Sequence, residues 1–246
     1  MIRREIRLLL TAAQFLTRLP VPAFVKHGPG QLDRAMRYLP LVGIGVGLWG
    51  AAVLALAAAG LPRPVAALLS VAATLLLTGA LHEDGLADTL DGLLGGSTRE
   101  DALRIMRDSR LGTFGAAGLA VALGLKVAAL SVLPAAGPAL VAGHAGSRFF
   151  VVCVLAGLPY ARAEGKAAAV GGVGVTEMAV AGCCALPPML LLGSRAAPAL
   201  LLASGLAWAM AHWFRRRVGG YTGDGLGAVQ QVTELAILLA ALWRAA

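Results

Sequence analysis

Apolar residues fall in long runs along this chain, and short polar stretches separate the runs. A run of about 20 apolar residues is what an α-helix needs to cross the hydrocarbon core of a bilayer. The pattern predicts seven crossings, at residues 40–60, 65–81, 112–133, 139–158, 173–193, 196–214 and 229–243. The last run is short and carries Glu234, so a re-entrant segment is the alternative there. The runs therefore predict an all-α, polytopic membrane helix bundle, forming one integral-membrane domain over residues 1–246.

The N-terminal segment mixes basic and apolar residues before the first predicted crossing. Its basic residues are Arg3, Arg4, Arg7 and Arg18. A cleaved signal peptide is one interpretation, but Gln14 and Thr17 interrupt the apolar stretch before any small-residue cleavage site. We expect instead an amphipathic helix that lies at the cytoplasmic face of the membrane.

Composition excludes a water-soluble domain. The chain is 58% hydrophobic and 14% charged, with a mean hydropathy of +0.77, whereas a soluble domain carries about 25% charged residues. The net charge of +8 does not indicate nucleic acid, because Lys and Arg cluster in short loops between the apolar runs. The N-terminal arm and loops 82–111, 159–172 and 215–227 fall on one side, which the positive-inside rule makes cytoplasmic. We therefore predict a multi-pass protein of the cell (inner) membrane that contacts anionic lipid.

Three aspartates form the strongest chemical signal in the sequence. Asp84, Asp88 and Asp91 are spaced i, i+4 and i+7, which puts them within an arc of roughly 60° on a helix. Like charges on one face repel, so a cation is expected between them. Oxygen ligands favour Mg²⁺ or Mn²⁺ over zinc. A solvated helix face is the alternative, although no Lys or Arg occurs between positions 82 and 98.

Residues beside the aspartates are predicted to support them. Glu83 lies at the edge of the stripe and is a further candidate metal ligand. His82 falls on the opposite side of an ideal helix, so a structural hydrogen bond is favoured for it over ligation. Glycines in the same segment, Gly85 among them, would let the backbone of the helix approach a ligand closely.

An arginine-rich segment follows the aspartates. Arg107 and Arg110 flank Asp108, and Gly112 and Thr113 then open a new helix. Guanidinium groups bind phosphate in bidentate fashion, and a helix N-terminus adds backbone N–H donors. The two arginines are therefore candidate phosphate-binding residues, with Asp108 as a supporting group. Flanking charge at a membrane surface is the alternative interpretation.

A second glycine-rich loop, GGYTGDGLGA, begins at Gly219. Thr222 and Gly223 could bind a phosphate there, and Asp224 would add a fourth carboxylate to the stripe if the two segments converge. A simple turn explains the same residues equally well on spacing alone.

Ionisable residues also occur inside the predicted crossings. Lys126, Arg148 and Glu234 lie at or within apolar runs, where ionisable groups usually indicate a functional site. Arg148 is mid-span, so we expect it to reach a phosphate or an aspartate. Glu234 is expected to support the acidic site.

Acids, arginines and a membrane-embedded cleft together favour phosphoryl transfer. One or two Mg²⁺ ions would bridge the aspartates and a diphosphate and neutralise developing charge. Asp84, Asp88 and Asp91 are the candidate catalytic residues, and one of them could take the proton from an attacking hydroxyl. The aspartates alone indicate only a metal and a diphosphate.

The motifs taken in order resemble those of the cobalamin synthase family, the adenosylcobinamide-GDP ribazoletransferases. They are FLTRLPVP, HEDGLADTLDG, IMRDSRLGTFG, the pair Ser147–Arg148, and GGYTGDGLGA with its downstream Glu234. The resemblance implies a multi-pass enzyme that transfers adenosylcobinamide phosphate from its GDP-activated form to α-ribazole or α-ribazole phosphate, with Mg²⁺, releasing GMP. It carries over Asp84, Asp88, Asp91 and Asp224 as acids, and Arg107, Arg110 and Arg148 as phosphate-binding residues. A homo-oligomer is compatible with this resemblance.

Two other functions are weighed against this resemblance. A CDP-alcohol-type phosphotransferase would usually carry DGxxAR, whereas this chain has Asp88 and Thr89 where Ala-Arg would fall. A cation-coupled transporter would place its carboxylates near the bilayer midplane, whereas the stripe lies in a loop, and the arginine segment would be unexplained.

Overall fold

The computed structural model describes residues 2–22, 25, 28, 30–162 and 172–243. Most of the predicted connection 159–172 lies outside the described residues. The helices are α1 (Ile2–Leu16), α2 (Gln31–Ala35), α3 (Leu39–Ala58), α4 (Arg63–Thr78), α5 (Leu81–Gly95), α6 (Arg99–Ile105), α7 (Thr113–Val132), α8 (Ala136–Gly157), α9 (Val175–Leu190), α10 (Ala196–Val218) and α11 (Gly223–Leu242). The predicted all-α class is confirmed.

Helices α8 and α11 form the centre of the bundle. Within their apolar windows 83% and 78% of the residues are buried, against 33% or less in the other long apolar helices. Helix α3 packs closely on α8 through Gly43 and Gly47. A Cβ atom on Gly47 would lie 2.7 Å from the Cα atom of Val141, and one on Gly43 would collide with the carbonyl group of His144. Small residues thus bring the two backbones into contact, as in other membrane helix pairs.

Among the described residues, fewer helices than the predicted seven are long and apolar enough to cross a membrane. Within the described residues, five helical stretches are long and apolar enough to cross: Gln31–Ala58, Thr113–Val132, Ala136–Gly157, Gly193–Val218 and Gly223–Leu242. The bent pair α4–α5 would make six. The predicted crossing at 173–193 forms the shorter helix α9, with Pro187 and Pro188 inside it. The count of seven is therefore not confirmed, although the last apolar run does form a full-length helix.

A sharp bend between α4 and α5 positions the aspartates. The two helices meet at 90°, and Gly79 and Ala80 between them both have left-handed backbone conformations (φ 69° and 57°). A left-handed alanine is disfavoured, so the surrounding packing must hold it. The Arg18 side chain lies against Gly79, and the backbone N–H of Arg18 donates to the carbonyl of Leu77 at 2.8 Å. Helix α5 consequently leaves the crossing direction of α4.

Helix α1 has the predicted amphipathic character. Leu8, Ala12 and Leu16 are buried, whereas Arg3, Arg4 and Arg7 are exposed. The segments predicted as loops are also more helical than expected. The stretch 82–111 holds α5 and α6, and α11 begins at Gly223 rather than near residue 229.

Candidate active site

A cavity of about 770 Å³ opens where α1, the first turns of α5 and α11, and the end of α8 meet. One wall is apolar and includes Leu16, Met36, Leu39, Val151, Leu155 and Leu226. The polar lining comprises Thr11, Gln14, His82, Asp84, Tyr160, Arg162 and Asp224. A largely apolar cavity with a few converging polar groups is the usual form of a ligand site.

Two glycines bring α5 and α11 into backbone contact at the edge of this cavity. A Cβ atom on Gly85 would lie 2.7 Å from the carbonyl oxygen of Asp224, and one on Gly227 would lie 3.1 Å from that of His82. Gly85 therefore admits a neighbouring helix, rather than the ligand that the sequence analysis expected. The contact places Asp84 and Asp224 on the same cavity.

Gly85→Ala is expected to lower turnover at least tenfold while the protein still folds, because the added methyl group must push α5 away from α11. A displacement of about 1 Å at a catalytic site can cost about 100-fold in rate. Gly95→Ala is the matched control on the same helix, since a Cβ there would be 3.9 Å from its nearest neighbour, in Ile105. Turnover measured on both purified variants checks the prediction, and equal loss in the two would contradict it.

Asp84, Asp88 and Asp224 share one electrostatic environment. Burial, and then the negative charges of Asp84 and Asp224, raise the pKa of Asp88 to about 7, against an opposing effect of Arg162. Asp84 is exposed, whereas Asp88 and Asp224 are half-buried. Across the described ranges, no three His, Cys, Asp or Glu side chains stand close enough to form a preformed metal site. The three acids are thus a cluster of repelling charges that a cation would relieve, and their metal role stays a prediction.

Asp91 belongs to the same face of α5 but is already engaged. Its two carboxylate oxygens accept hydrogen bonds from the backbone N–H groups of Gly112 at 2.7 Å and Gly115 at 2.8 Å. These donors belong to the beginning of α7, where unpaired N–H groups and the helix dipole favour an acid. Asp91 in this structure anchors α7 to α5, and the catalytic and metal roles expected for it stay predictions.

Glu83 faces away from the cavity, into the interior of the bundle. It accepts a hydrogen bond from the Gln231 amide at 2.8 Å and lies 4.0 Å from the Lys126 ammonium. Lys126 also pairs with Glu234 at 2.8 Å. Adjacent positions on a helix point about 100° apart, so Glu83 and Asp84 serve different surroundings. The structure gives Glu83 buried partners rather than the metal-site position that the sequence suggested.

Arg148 and Glu234 belong to the same buried network. Arg148 is 1% exposed, and it donates to the backbone carbonyl of His144 at 2.9 Å. The His144 ring lies 3.1 Å from Glu234, which also accepts from the Gln230 amide. Arg148 is not among the described residues that line the cavity. The structure therefore gives it a structural contact in place of the phosphate or aspartate that we expected.

The arginines after α6 are exposed and lie outside the described cavity lining. Arg110 pairs with Asp108 at 2.6 Å and has a side chain that is 87% exposed. This ion pair holds the pKa of Asp108 at about 2. The phosphate-binding role of Arg107 and Arg110, and the supporting role of Asp108, stay predictions.

The glycine-rich loop begins α11. Thr222 is buried and caps the helix, its hydroxyl accepting a hydrogen bond from the N–H of Gly225 at 3.0 Å. Gly223 lines the cavity. His82 also lines it and is 6% exposed. The glycine-rich loop thus lies beside α5, a convergence that the spacing of the sequence alone does not decide.

Arg162 and Tyr160 line the cavity, although the sequence predicts no role for them, as is also true of Thr11 and Gln14. The sequence pattern predicts residues 159–172 only as a loop on the cytoplasmic side. Arg162 pairs with Asp224 at 2.5 Å, and Tyr160 forms a parallel β-bridge with Tyr221. The available signal was an arginine directly after a crossing, on the same side as the other basic segments.

The fold and the cavity define a class of protein. The bundle is a polytopic helical membrane protein with two acidic residues, Asp84 and Asp224, in the lining of its cavity. Such an arrangement suits an enzyme that handles a phosphorylated substrate with the help of a cation.

Comparison with known proteins identifies the family. Residues 8–242 match the family described as CobS: Cobalamin-5-phosphate synthase, so the chain belongs to the cobalamin-5-phosphate synthase family. A protein of Ralstonia nicotianae named adenosylcobinamide-GDP ribazoletransferase is 48% identical over 96% of this chain and 95% of its own length. Proteins of the same name in Leptothrix cholodnii (47%; 96% and 94%) and Azorhizobium caulinodans (44%; 94% and 93%) are similar. No solved structure matches significantly.

Family membership decides among the three functions considered from the sequence. The chain is a membrane transferase, as the family and the shared name of its relatives establish. The transporter and the CDP-alcohol phosphotransferase are set aside.

Proposed function

We propose that this chain transfers the adenosylcobinamide phosphate group from its GDP-activated form to a hydroxyl group of α-ribazole or α-ribazole 5'-phosphate. The observation that carries the proposal is that Asp84 and Asp224 line one cavity, while their negative charges act on the neighbouring carboxyl group of Asp88. Relatives that are 48% and 47% identical bear the name of this activity. The product is adenosylcobalamin or its 5'-phosphate, and GMP leaves.

The reaction exchanges one phosphorus–oxygen bond for another. The ribazole hydroxyl oxygen attacks the phosphorus atom that carries cobinamide. The bond between that phosphorus and the bridging oxygen breaks, and GMP departs with that oxygen. Asp84 lines the cavity and is exposed, so it is the carboxylate best positioned to receive the proton of the attacking hydroxyl.

Asp84, Asp88 and Asp224 would hold Mg²⁺ or Mn²⁺, as one ion or two. Their carboxylate oxygens are the donors that these ions prefer. Burial, and then the negative charges of Asp84 and Asp224, raise the pKa of Asp88, and a cation would offset that charge. When bound, the cation neutralises charge on the diphosphate and on the departing GMP. The side chains must draw together to bind it, because no such group is preformed among the described residues.

The remaining cavity residues bind and shield the substrates. The wall formed by Leu16, Met36, Leu39 and Leu226 is apolar, so it suits an apolar part of a substrate and would limit the access of water to the site. Tyr160 and His82 border this wall with polar atoms that can hydrogen-bond the substrates.

We place this face of the protein in the cytoplasm. Arginines gather at the cavity end of the bundle, where Arg217 donates to the carbonyls of Leu93 at 3.0 Å and Gly96 at 2.6 Å. Arg215 and Arg216 lie in the same last turn of α10. Excess Lys and Arg characterises cytoplasmic loops, and we propose the inner membrane as the location of the chain.

Protons and Mg²⁺ should compete at the acidic cluster. Burial and the neighbouring charges set the pKa of Asp88 at about 7, so below that pH a proton must leave before a cation binds. The Mg²⁺ concentration for half-maximal rate should therefore rise about tenfold per pH unit below 7 and level off above it.

Titrating Mg²⁺ at about pH 6 and about pH 8, on either side of this pKa, measures the effect. In Asp88→Asn the dependence should flatten, because the titrating group is gone. Equal half-saturating concentrations at the two pH values in the unmodified protein would contradict the competition.

GMP release by the purified protein in lipid nanodiscs tests the proposed function. We expect release only when GDP-activated adenosylcobinamide, α-ribazole and Mg²⁺ are all present, with equal amounts of GMP and cobalamin product. Omission of each component in turn provides the controls. Absence of GMP from the complete mixture would refute the proposal.

A further inference from the structure

We propose that Arg162 binds the diphosphate of the activated substrate, and that Asp224 holds its guanidinium group at the cavity when no substrate is bound. This inference rests on the proposed function and names the group that recognises the substrate's phosphates. The sequence had suggested other arginines for that task.

The main chain next to Arg162 is fixed to the start of α11. The N–H of Ala161 donates to the carbonyl of Tyr221 at 2.8 Å, and the N–H of Tyr221 donates to that of Pro159 at 2.9 Å. The rings of Tyr160 and Tyr221 lie 5.3 Å apart. A Cβ atom on Gly220 would collide with the Pro159 carbonyl oxygen, so this close approach requires glycine. The backbone that carries Arg162 is therefore held in a defined position.

The guanidinium group of Arg162 is buried and only partly satisfied. Its side chain is 10% exposed and pairs with Asp224 at 2.5 Å, while its buried Nε–H has no hydrogen-bond partner within the described residues. A buried donor without a partner costs about 1–3 kcal/mol. Arginine presents five N–H donors in a planar fork that matches phosphate oxygens, and a bound diphosphate would provide acceptors for them.

Arg162 is the only arginine among the described residues that line the cavity. Arg107 and Arg110 are exposed outside it, and Arg148 is committed to the His144 carbonyl. The lining acids, Asp84 and Asp224, would repel a diphosphate. A cation on the acids and the guanidinium of Arg162 together supply the positive charge that such a substrate needs.

The pairing with Asp224 also explains how Arg162 becomes available. A cation bound by Asp224 would neutralise the carboxylate and weaken its attraction for the guanidinium. Arg162 would then turn to the phosphate oxygens that enter with the substrate. Asp224 would therefore pair with Arg162 before the substrate binds and with the cation afterwards.

The test compares Arg162→Ala, Arg162→Lys and the exposed control Arg104→Ala in two measurements. One is the KM for the activated substrate in the GMP-release assay, and the other is equilibrium binding of GDP, a simple diphosphate probe. For Arg162→Ala we expect KM and the GDP dissociation constant to rise roughly 10- to 100-fold. Arg162→Lys should recover part of the loss, and Arg104→Ala should match the unmodified protein.

Asp224→Asn separates binding from mere structural support. Measured without divalent cations, it should bind GDP at least as tightly as the unmodified protein, since Arg162 is released, although its turnover with Mg²⁺ is lost. Weaker GDP binding in Asp224→Asn, or unchanged KM and GDP affinity in Arg162→Ala, would overturn the inference while the proposed function stands. If the unmodified protein releases no GMP, the proposed function fails, and GDP binding alone then decides the role of Arg162. Failure of the unmodified protein in both measurements refutes both.

Discussion

Asp224→Asn is expected to lower turnover about 1,000-fold, because removal of one carboxylate from the cluster forfeits several kcal/mol of metal-assisted stabilisation. Asparagine has the same shape, so the helix contact made by the Asp224 backbone with Gly85 should persist. The rate constant of GMP release at saturating substrate measures the effect.

A matched control is Glu100→Gln, which neutralises an exposed acid on the nearby helix α6. Its turnover should equal that of the unmodified protein. Near-normal turnover in Asp224→Asn would remove this residue from the chemistry, whatever the control shows.

Lys126→Met is expected to lower the free energy of unfolding by about 3–5 kcal/mol, since it leaves buried acids without their cation. Lys126 is 4% exposed and lies 2.8 Å from Glu234 and 4.0 Å from Glu83. The loss of stability is measured as a decrease in the thermal unfolding midpoint and in the free energy of unfolding, both in detergent.

The double variant Lys126→Met with Glu234→Gln supplies the control. It removes the Glu234 carboxylate together with the Lys126 ammonium, so only Glu83 remains buried without its cation and part of the stability should be recovered. A midpoint for Lys126→Met equal to that of the unmodified protein would mean that this ion pair contributes nothing measurable.

The sequence was sufficient for the helical class and for the aspartate stripe. Spacing alone predicted that Asp84, Asp88 and Asp91 share one face of a helix, and α5 contains all three. The count of seven crossings is not confirmed, because hydropathy shows neither that the run at 173–193 forms only the 16-residue helix α9 nor that the chain bends by 90° between α4 and α5.

The partners of individual charges could not be predicted. Glu83 is adjacent to Asp84 in sequence, yet it faces Lys126 and Gln231 in the bundle. Helical periodicity shows which residues share a face of one helix, but it does not show which neighbouring helix that face meets.

Arg162 shows the same limit for a residue for which the sequence predicted no role. Its pair with Asp224 joins positions 62 residues apart, and the Tyr160–Tyr221 bridge that supports it is equally long-range. No local sequence motif predicts a contact over such a distance along the chain. Arg148, by contrast, stood out as a mid-span charge, and its burial was expected even though its partner was not.

Binding of Mn²⁺, followed by electron paramagnetic resonance on the purified protein, tests most directly whether the acids of α5 and α11 form the cation site. The unmodified protein should bind one or two ions per chain, and Glu100→Gln should bind the same number. Asp88→Asn and Asp224→Asn should each lose at least one ion or bind it at least tenfold more weakly, as metal-site substitutions commonly do. Unaltered Mn²⁺ stoichiometry and affinity in both variants would contradict the account.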